Sequence, residues 1–155
     1  MNTFDRFIDA VSTAMSDHDI EWFYDFDAQD TQAYIEDAEL YPDPTHRLLP
    51  IEPFSSREAF RHMEEFAITI KNPIPHNILW TALSRRHPFS AFQDALRSTN
   101  LREAWFEFKR KKMQIVVEDW MEENEITYED GIFKCEHAQT YDYFKDKGGM
   151  RIPII

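Results

Sequence analysis

The chain has 155 residues, 43% of them hydrophobic and 15% aromatic, with 17 Lys and Arg against 29 Asp and Glu for a net charge of −12. That much apolar side chain excludes a disordered chain, and the length favours a single domain, 1–155, able to bury roughly 70% of its unfolded surface. No apolar run approaches the roughly 18 residues of a membrane span, the acidic start carries no secretion signal, and the lone Cys135 excludes an internal disulfide and fits a reducing cytoplasm.

Residues 3–16 read as a helix, with Phe4, Phe7, Ile8, Val11 and Met15 on one face and Thr3 as its expected cap. Over 20–36 the period changes. Trp22, Tyr24 and Phe26 alternate with Phe23, Asp25 and Asp27, then Thr31, Ala33 and Ile35 alternate again, which predicts two short strands joined by a turn at 28–30. Pro42, Pro44 and Pro50 predict an extended surface linker over 37–50. Ser55 and Glu58 form a capping-box pattern that opens a second helix with Phe60, Met63, Phe66, Ala67 and Ile70 on its apolar stripe. Asn72-Pro73 ends it, Pro75 opens a short third helix, and His87-Pro88 breaks that before a fourth carrying Phe89, Phe92, Ala95 and Leu96.

The fifth helix, from Leu101 to about Asn124, is the longest. Leu101, Trp105, Phe108, Ile115 and Val116 form one arc, and Phe106, Met113, Val117 and Trp120 the next. So wide an apolar face predicts a helix touching two layers, or one layer and a partner. Asp130-Gly131 marks the turn of a hairpin, and a tail with Gly148-Gly149 and RIPII follows. The fold class is α+β, mainly α: about five helices with a small N-terminal β-hairpin. Residues 1–46 form an acidic helix plus hairpin, 47–126 a helical core, and 127–155 a hairpin and tail.

Charge is sorted along the chain. Residues 1–46 carry −11, residues 84–112 carry +5, and residues 118–147 carry −7. The binding candidates are Arg85 and Arg86, just before the His87-Pro88 break, and the run Lys109, Arg110, Lys111 and Lys112, whose charges point around the fifth helix at 100° steps. These bases are expected to serve a nucleic-acid or acidic protein surface, to dock on the chain's own acidic segments, or simply to face water. Trp80, Phe89 and Phe92 stand near them at core spacing and are expected to be buried.

Other motifs are weaker. Asp25, Asp27, Gln29 and Glu36 fall at positions 1, 3, 5 and 12 of a calcium loop, but position 6 is Asp30 where the turn requires Gly, and the entering residues alternate like a strand. An acidic hairpin is the plainer reading. Cys135 and His137 offer two metal ligands and no closed site, and a partly exposed thiol is expected. With three glycines, all after residue 130, there is no upstream phosphate loop. Neither a nucleophile with its base nor a convergent carboxylate pair is visible, so no catalytic residue, metal or cofactor is assigned.

RLLPIEPFSSREAFRHMEEFA, from residue 47, then LWTALSRRHPFSAFQDALRSTNLREAWFEFK and VVEDWMEENEI resemble an uncharacterised bacterial protein family, number 158 of the UPF series. The carrying positions are Ile51 and Pro53, Met63 and Phe66, Ala82-Leu83 through Leu96, Trp105 and Phe108, and Trp120. The resemblance also takes in the hairpin from Phe23 to Ile35, except at its turn, where Gln29-Asp30 replaces the family's usual glycine. It implies a fold and no activity. The expectation is a cytoplasmic, non-catalytic protein-interaction or regulatory module. It binds a protein partner or itself, and nucleic acid is disfavoured by the net charge. An enzyme whose site assembles from dispersed residues is the remaining alternative.

Overall fold

The computed structural model describes residues 2–141 and divides the chain into two compact units, one drawn from Met1–Pro53 and Gln114–Ile155, the other from Phe54–Met113. The expected Gly148-Gly149 and RIPII tail lies outside the described residues.

In the first unit, α1 (Thr3–Met15) buries Phe7, Ile8, Val11, Ala14 and Met15. Its cap is Asn2, whose side chain accepts from the Asp5 N–H at 2.8 Å, one residue before the expected Thr3. Strands β1 (Glu21–Asp25) and β2 (Asp30–Tyr34) form the predicted hairpin. Gln29 closes its turn at φ +56°, a conformation that costs an ordinary side chain and that glycine adopts freely.

The expected linker over 37–50 is corrected at its end. Leu48–Ile51 is a strand, β3, that pairs antiparallel with β1 and gives the sheet order β2-β1-β3. Burial of Leu48, Leu49 and Ile51 outweighs the proline signal. The Phe26 N–H donates to the Arg47 carbonyl at 3.0 Å, which sets the ladder's phase. Pro50, opposite Phe23, then falls at a non-hydrogen-bonded pair, where its missing N–H points off the sheet edge.

The second hairpin, β4 (Thr127–Glu129) and β5 (Ile132–Lys134), turns through Asp130 at φ +51° and Gly131 at φ +79°, the paired left-handed residues that such a two-residue loop needs. Phe133 from β5 stacks on Phe7 at 3.9 Å between ring centroids, and Tyr24 meets Phe7 edge-on at 4.9 Å.

In the second unit, α2 (Ser56–Thr69), α3 (Pro73–Leu83) and α4 (Pro88–Thr99) surround one core with the first half of α5 (Arg102–Glu123). The Ser55 side chain caps α2, accepting from the Glu58 N–H at 3.1 Å as the sequence predicts. Asn72 caps α3, which opens at Pro73 rather than Pro75 because proline's missing N–H costs nothing at a first helical position. Phe66, Phe92 and Trp105 pack edge-on, with Trp105 5.4 Å from Phe66 and 5.1 Å from Phe92.

The two expected arcs of α5 are also corrected. Phe106 and Ile115 are exposed, whereas Trp105, Met113, Val117 and Met121 are buried. The buried positions from Met113 onward recur every four residues, so the stripe drifts by about 40° per step, and α5 changes unit after Met113. Ile115 shares its angle with Phe108 but not its core.

Candidate functional site

The strongest candidate site is a groove between α3 and α4 of the helical unit. Helix α3 is apolar nearly all round. Leu79, Ala82 and Leu83 enter the core, leaving Ile74, Ile78 and Trp80 exposed, Trp80 by 45%. This corrects the expectation for Trp80 and for Phe89, which is 44% exposed, while Phe92 is buried as expected. Adjacent residues of a helix point 100° apart, so Ile78, Leu79 and Trp80 cannot share one core face.

Only four residues, 84–87, join the two helices. Ser84 ends α3, and Pro88 opens α4 without donating an N–H, so Arg85, Arg86 and His87 are held outside both helices and exposed. The groove encloses about 590 Å³. Ala82, Ala91 and Ala95 line it with Ile78, Ser90 and Ser98, and Arg85, Arg86 and His87 stand at its α3–α4 turn end. The one carboxylate in the lining, Asp94, is paired with Arg97 one helical turn away. Neither Arg85 nor Arg86 has a carboxylate within 4 Å among the described residues. The groove is therefore mixed in lining, with serines and Asp94 beside Ile78 and Ala91, and positive at one end.

The basic run of α5 is divided by its neighbours. Lys112 meets Glu65 of α2 at 2.5 Å and lies 5.5 Å over the Phe108 ring. That contact holds the Glu65 carboxyl below its ordinary range. Arg110 reaches Glu107 at 3.5 Å on its own helix. Lys109 and Lys111 are exposed, with no carboxylate in reach among the described residues. None of the four lines the groove. Nearby, His62 lies 5.1 Å from the Phe54 ring and is half-buried, and that burial pushes its pKa down.

In the first unit, the residues at calcium-loop spacing are occupied by the fold. Buried Asp25 accepts from the Asp27 and Ala28 N–H groups at 2.9 Å each, closing the turn, and its other oxygen meets His46 Nδ1 at 2.7 Å. That hydrogen bond raises the His46 pKa. Asp27 accepts from the Arg47 N–H at 2.7 Å. Glu36 lies beyond β2, roughly 20 Å from Asp30 at the rise of a strand. No group of three or more His, Cys, Asp or Glu gathers as a metal cage among the described residues.

Cys135 is buried, against the expectation of a partly exposed thiol, and donates to the Asn124 carbonyl at 3.3 Å. His137 turns to Glu125 instead, at 3.3 Å. The Arg47 guanidinium donates to the carbonyls of Cys135, Glu136 and Ala138 at 3.1–3.2 Å, fastening that segment.

The sequence reading missed the exposed apolar face of α3 and the Asp25–His46 pair. Nothing periodic marks a pair 21 residues apart. The all-round apolarity of α3 was a signal: eleven residues with no charge and two prolines hold more apolar surface than one face can bury.

The family model described as "Uncharacterised protein family (UPF0158)" matches residues 2–134. The chain belongs to this family. The match runs past Ile126 and takes in the β4–β5 hairpin. The UPF0158 protein PA5073 of Pseudomonas aeruginosa is 32% identical over 91 residues, which cover 58% of this chain and 59% of that relative. No solved structure matches the chain. Membership of UPF0158 brings no assigned activity, and no helix among the described residues is long and apolar enough to cross a membrane.

Proposed function

We propose that this UPF0158 chain is a non-catalytic, cytoplasmic protein-interaction module whose basic helical unit receives an acidic protein surface. One observation carries the reading: the sign of the charge changes at the boundary between the two compact units. Residues 54–113 hold eleven Lys and Arg against six Asp and Glu, for +5, while the rest of the chain holds six against twenty-three, for −17. Such sorting steers encounters and fixes orientation. The same helical unit exposes Ile74, Ile78, Trp80 and Phe89, which are apolar contacts that charge can bring a partner onto. The overall negative charge works against nucleic acid.

The test is fluorescence anisotropy with a labelled glutamate-rich peptide and, separately, a labelled DNA duplex, at about 50 mM and about 1 M salt. The reading expects the peptide to bind at low salt and release at high salt, with binding weakened about tenfold by Arg85→Gln with Arg86→Gln. A duplex that binds more tightly than the peptide, or a peptide that never binds, overturns it.

A further inference from the structure

Resting on that reading, the groove can be matched to an occupant present on the chain itself. Between β2 and Leu40 the backbone makes a four-residue turn, Glu36–Glu39, closed by reciprocal hydrogen bonds between Ile35 and Leu40 at 2.8 and 2.9 Å. The Glu39 N–H also donates to the Glu36 carbonyl at 3.0 Å. The turn is thereby held in one shape before any contact forms, which spares the ordering cost of binding.

Its chemistry is the complement of the groove. Glu36, Asp37 and Glu39 are exposed, and none has a basic side chain within ion-pair distance among the described residues. Beside them Leu40 is 48% exposed. Three carboxylates and one leucine on a tight turn meet two arginines with no carboxylate partner among the described residues, a histidine, serine hydroxyls and exposed Ile78. Exposed Ile78 offers the groove an apolar contact for Leu40, and its positive end supplies donors for carboxylates.

We propose that the α3–α4 groove takes the acidic turn Glu36–Leu40 of a second copy of this chain. The two patches differ, so the contact is head-to-tail. Each added copy brings a fresh turn and a fresh groove, and association continues until a ring closes or the chain of copies ends. The turn with Leu40 against a single groove makes a small interface, so association is weak and salt-labile.

Sedimentation of the chain at high protein concentration, at about 50 mM and about 1 M salt, tests this. At low salt the wild type is expected to give masses above one chain, falling to one chain at high salt. Arg85→Gln with Arg86→Gln removes the groove's charges, and Glu36→Gln, Asp37→Asn with Glu39→Gln removes the turn's. All five positions are exposed, and circular dichroism checks that both variants fold. Each variant alone is expected to sediment as a single chain at low salt. Mixed in equal amounts they leave one intact turn and one intact groove, so complexes reappear and stop at two chains. Leu40→Ser is expected to weaken wild-type association about tenfold.

A wild type that stays a single chain throughout, or a mixture that stays unassociated, overturns the second-copy occupant. If the groove still binds the glutamate-rich peptide in that case, the acidic-partner reading stands and the occupant is another protein. If it binds neither, both are overturned.

Discussion

The side-chain amide of Gln29 pairs with the backbone of Phe133, donating to its carbonyl and accepting from its N–H, each at 2.8 Å. The contact ties the β1–β2 turn to β5, 104 residues away. The same amide donates to the Phe26 carbonyl at 2.8 Å, so one side chain holds the turn from both sides. This accounts for a glutamine where the resemblance leads one to expect glycine. A glycine relieves the left-handed backbone at residue 29 but leaves Phe133 without these partners.

Gln29→Ala is accordingly expected to destabilise the chain by about 1–3 kcal/mol, the cost of leaving backbone groups of a buried residue unpaired. Gln29→Gly is expected to lose less, because it recovers the φ cost. Urea unfolding midpoints order the two. A glycine variant less stable than the alanine variant contradicts the account.

Two histidines are expected to pull stability in opposite directions with pH. The hydrogen bond to Asp25 raises His46 above its ordinary value near 6.5, so the native state holds that proton more tightly than the unfolded chain. Its stabilising effect is complete below about pH 6.5 and fades as pH rises through the raised native value. Burial lowers His62, so the unfolded chain takes that proton more readily. The corresponding contribution is complete above about pH 6.5 and fades as pH falls through the lowered native value. Comparing unfolding midpoints with His46→Gln and His62→Gln from pH 5 to 9 is expected to show the His46 contribution shrinking on the alkaline side and the His62 contribution shrinking on the acid side. Ring proton resonances give an independent check, and His46 titrating below His62 contradicts both assignments.

The aromatic centre of the helical unit sets a third expectation. Phe92 is fully buried and touches both Phe66 and Trp105 edge-on. Phe92→Ala is expected to cost about 3–5 kcal/mol, the range for emptying an aromatic site in a packed core. Phe89→Ala, on the exposed side of the same helix, is expected to cost well under 1 kcal/mol on the scale of surface substitutions. Thermal or urea unfolding separates the two, and similar losses contradict the assignment of faces on α4.

Cys135 makes a fourth. Its thiol is 6% exposed and hydrogen-bonded, so an aromatic disulfide reagent is expected to label it slowly in buffer and at once in urea. Immediate stoichiometric labelling of the native chain contradicts the described packing of residue 135.

What the sequence made legible was local chemistry. Ser55 three residues before Glu58 and Asp130-Gly131 each dictate their own backbone, and the structure places a helix start at the first and a turn at the second, whereas Asn72-Pro73 was legible as a break but not as the start of α3. β3 was hidden because Pro42, Pro44 and Pro50 argue against a strand until β1 is known to lie beside it. The faces of α3 and of α5 were hidden for a related reason. Apolar periodicity says that Trp80 or Ile115 suits a core, and only the packing of neighbouring helices decides which apolar residues receive one. The candidate site was half legible. The Arg85-Arg86 pair stood out by charge, whereas the trough beside it depends on the small side chains of Ala82, Ala91 and Ala95 coming together from two helices.

The two units differ in how their residues are spaced along the chain, and this orders events on the ribosome. Every partner in the core around Phe66, Phe92 and Trp105 has been synthesised once Met113 is added. The sheet must wait longer, since Gln29 lacks its Phe133 backbone and Leu48 its bridge to Gln139 until those residues emerge. At about 5–20 residues per second, the interval from residue 113 to residue 139 lasts on the order of 1–5 s. During it the nascent chain holds every residue of the basic unit's core, while its acidic strands still lack their last neighbours.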